Sequence, residues 1–222
     1  MITFAKKSMD NYLTFSLLCF TSFVTLMNPL GIMPVFMSMT ESLEKSERKR
    51  TAKKASIVAL ITLLAFAFSG QLLFKFFGIS VNSFRIVGGV IFFMMGYDML
   101  QARLVKIKMT KKSTQQTYVN DISVTPLAIP MICGPGAITN SIVLMEDSTT
   151  WLHKGILIGV IILVCFITYL VLWSSAKITD FLGETGNKIM MRLMGLIVMV
   201  IAVEFFFSGL KPILIDILNA TA

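Results

Sequence analysis

Asn11 to Thr40 carries no charged side chain, and in its middle stands Asn28-Pro29-Leu30-Gly31, with Pro34 three residues later. Drawn as one straight α-helix, these 30 residues would span about 45 Å, against roughly 30 Å for the hydrocarbon core of a bilayer. The helix has to break. Pro29 and Pro34 lack an amide hydrogen, Gly31 favours no single backbone conformation, and Pro29 biases Asn28 away from helical geometry. A break at mid-membrane leaves polar backbone groups unpaired, which is tolerated only inside protein or beside an aqueous cavity. The stretch therefore marks a site.

A second stretch repeats the pattern. Ile122 to Met145 is also uncharged and holds Pro126, Pro130 and then Gly134-Pro135-Gly136-Ala137. A shift of 106 positions lays Asn28-Pro29-Leu30-Gly31 over Gly134-Pro135-Gly136-Ala137, proline on proline. Broken hydrophobic segments at matching places of two half-chains point to a transporter's binding site.

Composition sets the class. With 55% hydrophobic and 14% charged residues and a mean hydropathy of +0.80, the chain lies outside soluble usage, and its repeated uncharged runs predict a polytopic helical membrane protein. Lys6 and Lys7 lead straight into the first apolar run without a small-residue cleavage site, so that run is expected to be a retained helix. Cys19, Cys133 and Cys165 all lie within apolar runs and lack metal-ligand spacing, so they are expected to be small core residues, with no metal site and no cofactor. His153, beside Trp151 and Lys154, is expected at the membrane interface.

In chain order the expectation is helix 1 over about Tyr12 to Thr40, broken at Asn28 to Pro34, and a charged loop over Glu41 to Lys54. Helix 2 follows over Ala55 to Phe74, helix 3 over Val81 to Leu100, helix 4, broken, over Ile122 to Met145, helix 5 over Gly155 to Ala176 and helix 6 over Lys188 to Leu210. Helices 3 and 6 share an arrangement: at an offset of 107, Arg85 falls on Arg192 and Gly88 on Gly195, while Asp98 and Glu204 miss by one position. Three crossings per unit put the second unit in from the opposite side. The expected fold is thus an all-α membrane protein, a single transmembrane domain over 1–222, with six transmembrane helices as two inverted three-helix repeats. Repeat one covers about 11–101, a cytoplasmic linker 102–120 and repeat two about 121–211, with helices 1 and 4 broken at mid-membrane. Loops after helices 1, 3 and 5 hold 14 of the 20 Lys and Arg residues. By the positive-inside tendency these loops face the cytoplasm and both termini face outward. The formal charge of +8 then follows from topology and lipid headgroups, with no nucleic acid as partner.

An inverted pair of broken helices has a chemical use. Each break offers free N–H groups with partial positive charge at one half-helix end and free carbonyls at the other. A zwitterionic amino acid has a carboxylate for the first and an ammonium for the second. Asn28 can add a side-chain amide, and Thr139 and Ser141 can add hydroxyls. The absence of charged residues from both stretches argues against strongly charged substrates. Asp98 and Glu204 are the ionisable candidates for gating or coupling to H⁺ or Na⁺. The depth of each along its helix pairs Arg85 with Glu204 and Arg192 with Asp98. An intramembrane enzyme is not expected: Tyr97-Asp98 has no second acid in a matching context, and no Ser-His, His-Glu-x-x-His or glycine-rich phosphate motif is present.

The motifs Asn28-Pro29-Leu30-Gly31-Ile32-Met33-Pro34-Val35-Phe36, Pro126-Leu127-Ala128-Ile129-Pro130 and Gly134-Pro135-Gly136-Ala137-Ile138-Thr139 resemble the signatures of the MarC family, which includes the SnatA neutral amino acid transporters. Arg192-Leu193-Met194-Gly195-Leu196 resembles that family's last helix. The resemblance implies a carrier in the bacterial cytoplasmic (inner) membrane for small neutral amino acids such as glycine and alanine, working by alternating access. It implies a substrate site at Asn28, Pro29, Gly31, Pro34, Pro130, Gly134, Pro135, Gly136, Ala137 and Thr139. The competing expectation is a channel or exporter for another small polar solute or drug.

Overall fold

The computed structural model describes residues 2–41, 43–101, 122–148 and 150–221, which leaves the 102–120 linker outside the described residues. Those residues form helices and no strand. The order is α1 (Ile2–Met27), α2 (Pro29–Met39), α3 (Lys45–Phe77), α4 (Val81–Leu100), α5 (Ser123–Ile132) and α6 (Pro135–Asp147), followed by the helical run Trp151–Thr221. That run departs from helical geometry at Gly183 (φ 65°, ψ −179°) and holds two apolar spans, α7 (Trp151–Ser175) and α8 (Thr185–Asn219). Five helices are long and apolar enough to cross a membrane, or six if the bent pair α5–α6 is one span.

Local chemistry explains the boundaries. Glu41 to Lys54 was expected as a loop, yet helix begins at Lys45. Arg48 stitches the connection, Nε donating to the Leu43 carbonyl at 3.0 Å and Nη2 to that of Glu41 at 2.7 Å. At the far end of α3, Gly78 takes the left-handed conformation and Ile79 N–H closes on the Phe74 carbonyl at 2.9 Å, the glycine ending common to helices. Ser80 then caps α4 through its side-chain oxygen, which accepts from Ser83 N–H at 2.9 Å. The span over Val81 to Leu100 is as expected.

Phe23, Met27, Phe36, Leu63, Leu127, Ile132, Ile142 and Ile161 are fully buried and tie α1, α2, α3, α5, α6 and α7 into one core. Phe68, Leu72 and Phe76 stand exposed along α3. Such a surface suits lipid, not water.

Helices α4 and α8 meet along a seam without side chains. A β-carbon on Gly89 would come within 2.8 Å of the Ala202 carbonyl oxygen, one on Gly96 within 2.8 Å of the Gly195 oxygen, and one on Gly209 within 2.6 Å of the Asn82 oxygen. Partner numbers fall as the α4 numbers rise, so the helices run antiparallel. Small residues spaced by seven (89 and 96; 195, 202 and 209) let the backbones touch. His153 at the start of α7 packs its ring on Tyr12 and Phe15, centroids 4.9 and 4.8 Å away, while Trp151 stays exposed with Lys154 over its face.

Candidate functional site

The first apolar stretch stops being helical at a single residue. Asn28 lies at φ 41°, ψ 63°, between α1 and α2. Among non-glycine residues asparagine enters this left-handed region most readily, because its short side chain bonds locally. Here Oδ1 accepts from Gly31 N–H at 3.1 Å, so Asn28 caps the helix that it starts, and Pro29 occupies the first helical position, where no N–H is needed. The carboxamide lies flat over Gly31, and any β-carbon at residue 31 would collide with Nδ2 and Cγ. The break is narrower than the expected Asn28 to Pro34, because Pro34 is buried within continuous helix α2.

The second stretch breaks over a longer length. In α5 the backbone winds wide, with Thr125 (φ −130°, ψ 125°) and Ile129 (φ −124°, ψ 122°) extended, each just before a proline. The path then turns by 59° between α5 and α6. Gly134 caps α6 with no side chain, and Pro135 again takes the first position. Gly134 is tightly enclosed: a β-carbon there would run into the ring of Phe92 and come within 2.8 Å of the Pro130 carbonyl. One on Gly88 would meet the Pro135 ring, and one on Gly136 would lie 3.0 Å from Leu26.

A small cavity of about 30 Å³ opens between the two breaks, lined by Asn28, Gly31, Phe92, Met95, Met131, Val198 and neighbours. The cavity has room for water beside Asn28. Asn28 Nδ2 at the cavity is buried without a partner, and so are Thr139 Oγ1 and Asn140 Nδ2 on α6. Thr139 is only 1% exposed, and an unpaired hydroxyl at that depth is uncommon enough to mark a place for water or ligand.

Of the residues singled out from sequence, Asn28 and Gly31 line the cavity directly. Pro29, Pro34, Gly134, Pro135, Gly136, Ala137 and Thr139 are buried but do not line it, and Pro130 is half-buried. Phe92, Met95, Met99, Met131 and Val198 were missed. They are ordinary apolar residues; Met131 lies in α5 beside the second break, and the packing of α4 and α8 brings the other four there.

The expected ion pairs are not formed. Arg85 sits beside Gly209, its β-carbon 2.9 Å from where a side chain there would start, about one turn beyond Glu204. Asp98, Arg192 and Glu204 are exposed. Glu204 borders a surface groove with Ser208 and Lys211, away from the cavity.

Comparison with known proteins agrees with this architecture. A UPF0056 membrane protein of Methanocaldococcus jannaschii is 39% identical, over 91% of this chain and 99% of its own length. One from Buchnera aphidicola is 35% identical over 90% of this chain and 94% of its own. The UPF0056 membrane protein YvbG of Bacillus subtilis is 36% identical, over 86% and 92%. No solved structure matches the chain. The family model described as "MarC family integral membrane protein" matches residues 13–214, and this multi-pass membrane protein belongs to the MarC family.

Proposed function

We propose that the protein is a secondary transporter that moves small neutral amino acids across the bacterial inner membrane by alternating access. The observation that carries the reading is the cavity at Asn28: a helix start in the left-handed conformation, an unpaired amide, a bare glycine, and no charged group in the lining. Two helix N-termini, those of α2 and α6, offer partial positive charge for a carboxylate. Thr139 Oγ1 and Asn28 Nδ2 are the hydrogen-bonding side-chain atoms nearest those starts in sequence that lack partners. In alternating access the helices would part on either side of this cavity in turn, to admit and then release the solute.

The reading takes the halves as two inverted repeats, related by the offset of 106 that aligns the two breaks. Gly89 approaches Ala202 and Phe206, while Gly195 approaches Gly96 and Leu100, so α4 and α8 pack antiparallel. Helices α3 and α7 also lie together, with Lys49 over the Trp173 ring and Ser56, Leu60, Ile162 and Tyr169 lining a shared groove. At the offset of 106 that relates the two breaks, Asp98 falls on Glu204, whereas 107 aligns Arg85 with Arg192. Those acids, exposed away from the cavity, would couple H⁺ or Na⁺ only after a change of conformation. Both termini outside and basic loops in the cytoplasm complete the reading.

The test is flux of radiolabelled alanine or glycine into proteoliposomes under an imposed pH or Na⁺ gradient, for the wild type and Asn28→Asp. The aspartate keeps the capping oxygen but replaces the amide donor with a charge. Saturable flux that unlabelled neutral amino acids compete, and that Asn28→Asp loses while remaining folded, is the expected result. Flux of other polar solutes only would move the assignment to a channel or exporter of those solutes.

A further inference from the structure

Phe92 lies near the middle of α4, is 6% exposed, and touches both halves of the site. It lines the cavity with Asn28, and the edge of its ring, Cζ and Cε1, fills the space directly over Gly134. The offset of 106 that carries Asn28 to Gly134 carries Phe92 to Val198, and Val198 lines the cavity beside Asn28. The two breaks therefore face inequivalent residues. At the first, a small valine leaves a cavity. At the second, a phenyl ring occupies the equivalent volume.

We propose that Phe92 is a size-selecting partition. Its ring fills the half-site at Gly134, restricts the solute to what fits between Asn28 and Val198, and so limits transport to amino acids with the smallest side chains. The inference rests on the transporter reading and on the inverted relation of the halves. The chemistry is steric: the ring carries no polar group, so it can exclude a larger side chain without binding a smaller one. The glycine at residue 134 lets the ring reach the α6 start, and a residue with a β-carbon there would force the partition aside.

The experiment measures labelled alanine flux into proteoliposomes with unlabelled glycine, alanine, valine or leucine as competitors, for the wild type, Phe92→Val, Phe92→Leu and Val198→Phe. Loss of a few methylene-sized groups from an apolar pocket is worth roughly tenfold or more in selectivity. Phe92→Val is expected to shift the leucine-to-alanine competition ratio by at least about tenfold towards leucine, Phe92→Leu to shift it less in the same direction, and Val198→Phe to abolish alanine flux. An unchanged ratio in both Phe92 variants, with alanine flux retained, overturns the proposal. A wild type that carries no amino acid is a failure of the transporter reading instead. The partition is then judged from xenon-pressurised crystals of the same variants: a new xenon site beside Gly134 in Phe92→Val sustains it, and no such site overturns it.

Discussion

The two helix breaks begin alike, with a cap residue followed by proline, and end up built differently. At the first, Asn28 supplies both the left-handed turn and the capping oxygen, and Tyr12–Met39 continues as a single span across it. At the second, Gly134 caps without a side chain, the preceding segment loses regular winding at Thr125 and Ile129, and the path bends by 59°. A single left-handed asparagine with its own capping oxygen keeps the first break to one residue. Pro126 and Pro130, which push the residues before them out of helical geometry, lengthen the second, and Phe92 and Leu26 close over its glycines.

The change expected to disturb this contrast most is Gly134→Ala. Its β-carbon would meet the Phe92 ring and lie 2.8 Å from the Pro130 carbonyl, a collision involving backbone as well as side chain. Overpacking of this kind costs about 1–3 kcal/mol or more. The variant should melt well below the wild type in detergent, and Phe92→Ala in the same chain should recover part of the loss. Full additivity of the two single effects would mean that the ring is not what encloses Gly134.

Gly31→Ala should cost less, because the group it strikes is the Asn28 carboxamide, a movable side chain. The amide must swing away and give up its bond to Gly31 N–H, and lost caps cost about 0.5–2 kcal/mol. Pairing it with Asn28→Gly should restore stability, since glycine accepts φ 41° and has no amide to displace. Transport should not return, because the unpaired donor is gone. If thermal stability and flux recover together, Asn28 serves the fold alone.

Asn28 itself separates the two roles. Asn28→Ala puts a β-carbon residue in the left-handed region and removes the cap, for about 1–2 kcal/mol together. Asn28→Gly should cost only a few tenths of a kcal/mol. If both lose flux equally despite that difference in melting temperature, solute handling depends on the amide; if flux tracks melting temperature, it depends on the cap.

Much of this was legible in the sequence because charge and proline are strong signals in a membrane chain. Uncharged runs located the spans, and the Asn-Pro and Gly-Pro pairs located both breaks. What stayed hidden depends on side-chain packing between distant helices. The partners of Gly88 and Gly195 could not be read from their matching positions: Gly88 makes room for Pro135, whereas Gly195 meets Gly96. The ion pairs failed for the same reason, since depth along a helix says nothing of the direction in which a side chain leaves it. Phe92 and Val198 carried no signal until the antiparallel seam brought them over the breaks.

The smallest expected effect concerns the polar atom that distinguishes the second break. Thr139 Oγ1 is buried at the start of α6 without a partner, whereas Ser141, two residues on, donates to the Ile138 carbonyl at 2.7 Å. Thr139→Val keeps the shape and removes the hydroxyl. Replacing an unpaired buried polar group by an apolar one of the same shape is close to neutral or stabilising, within about 1 kcal/mol. The melting temperature should therefore hold or rise slightly, while the apparent KM for alanine rises if the hydroxyl bonds solute. A variant both as stable and as active as the wild type would leave the first break, with its single amide, as the polar half of the site and the second as its apolar wall.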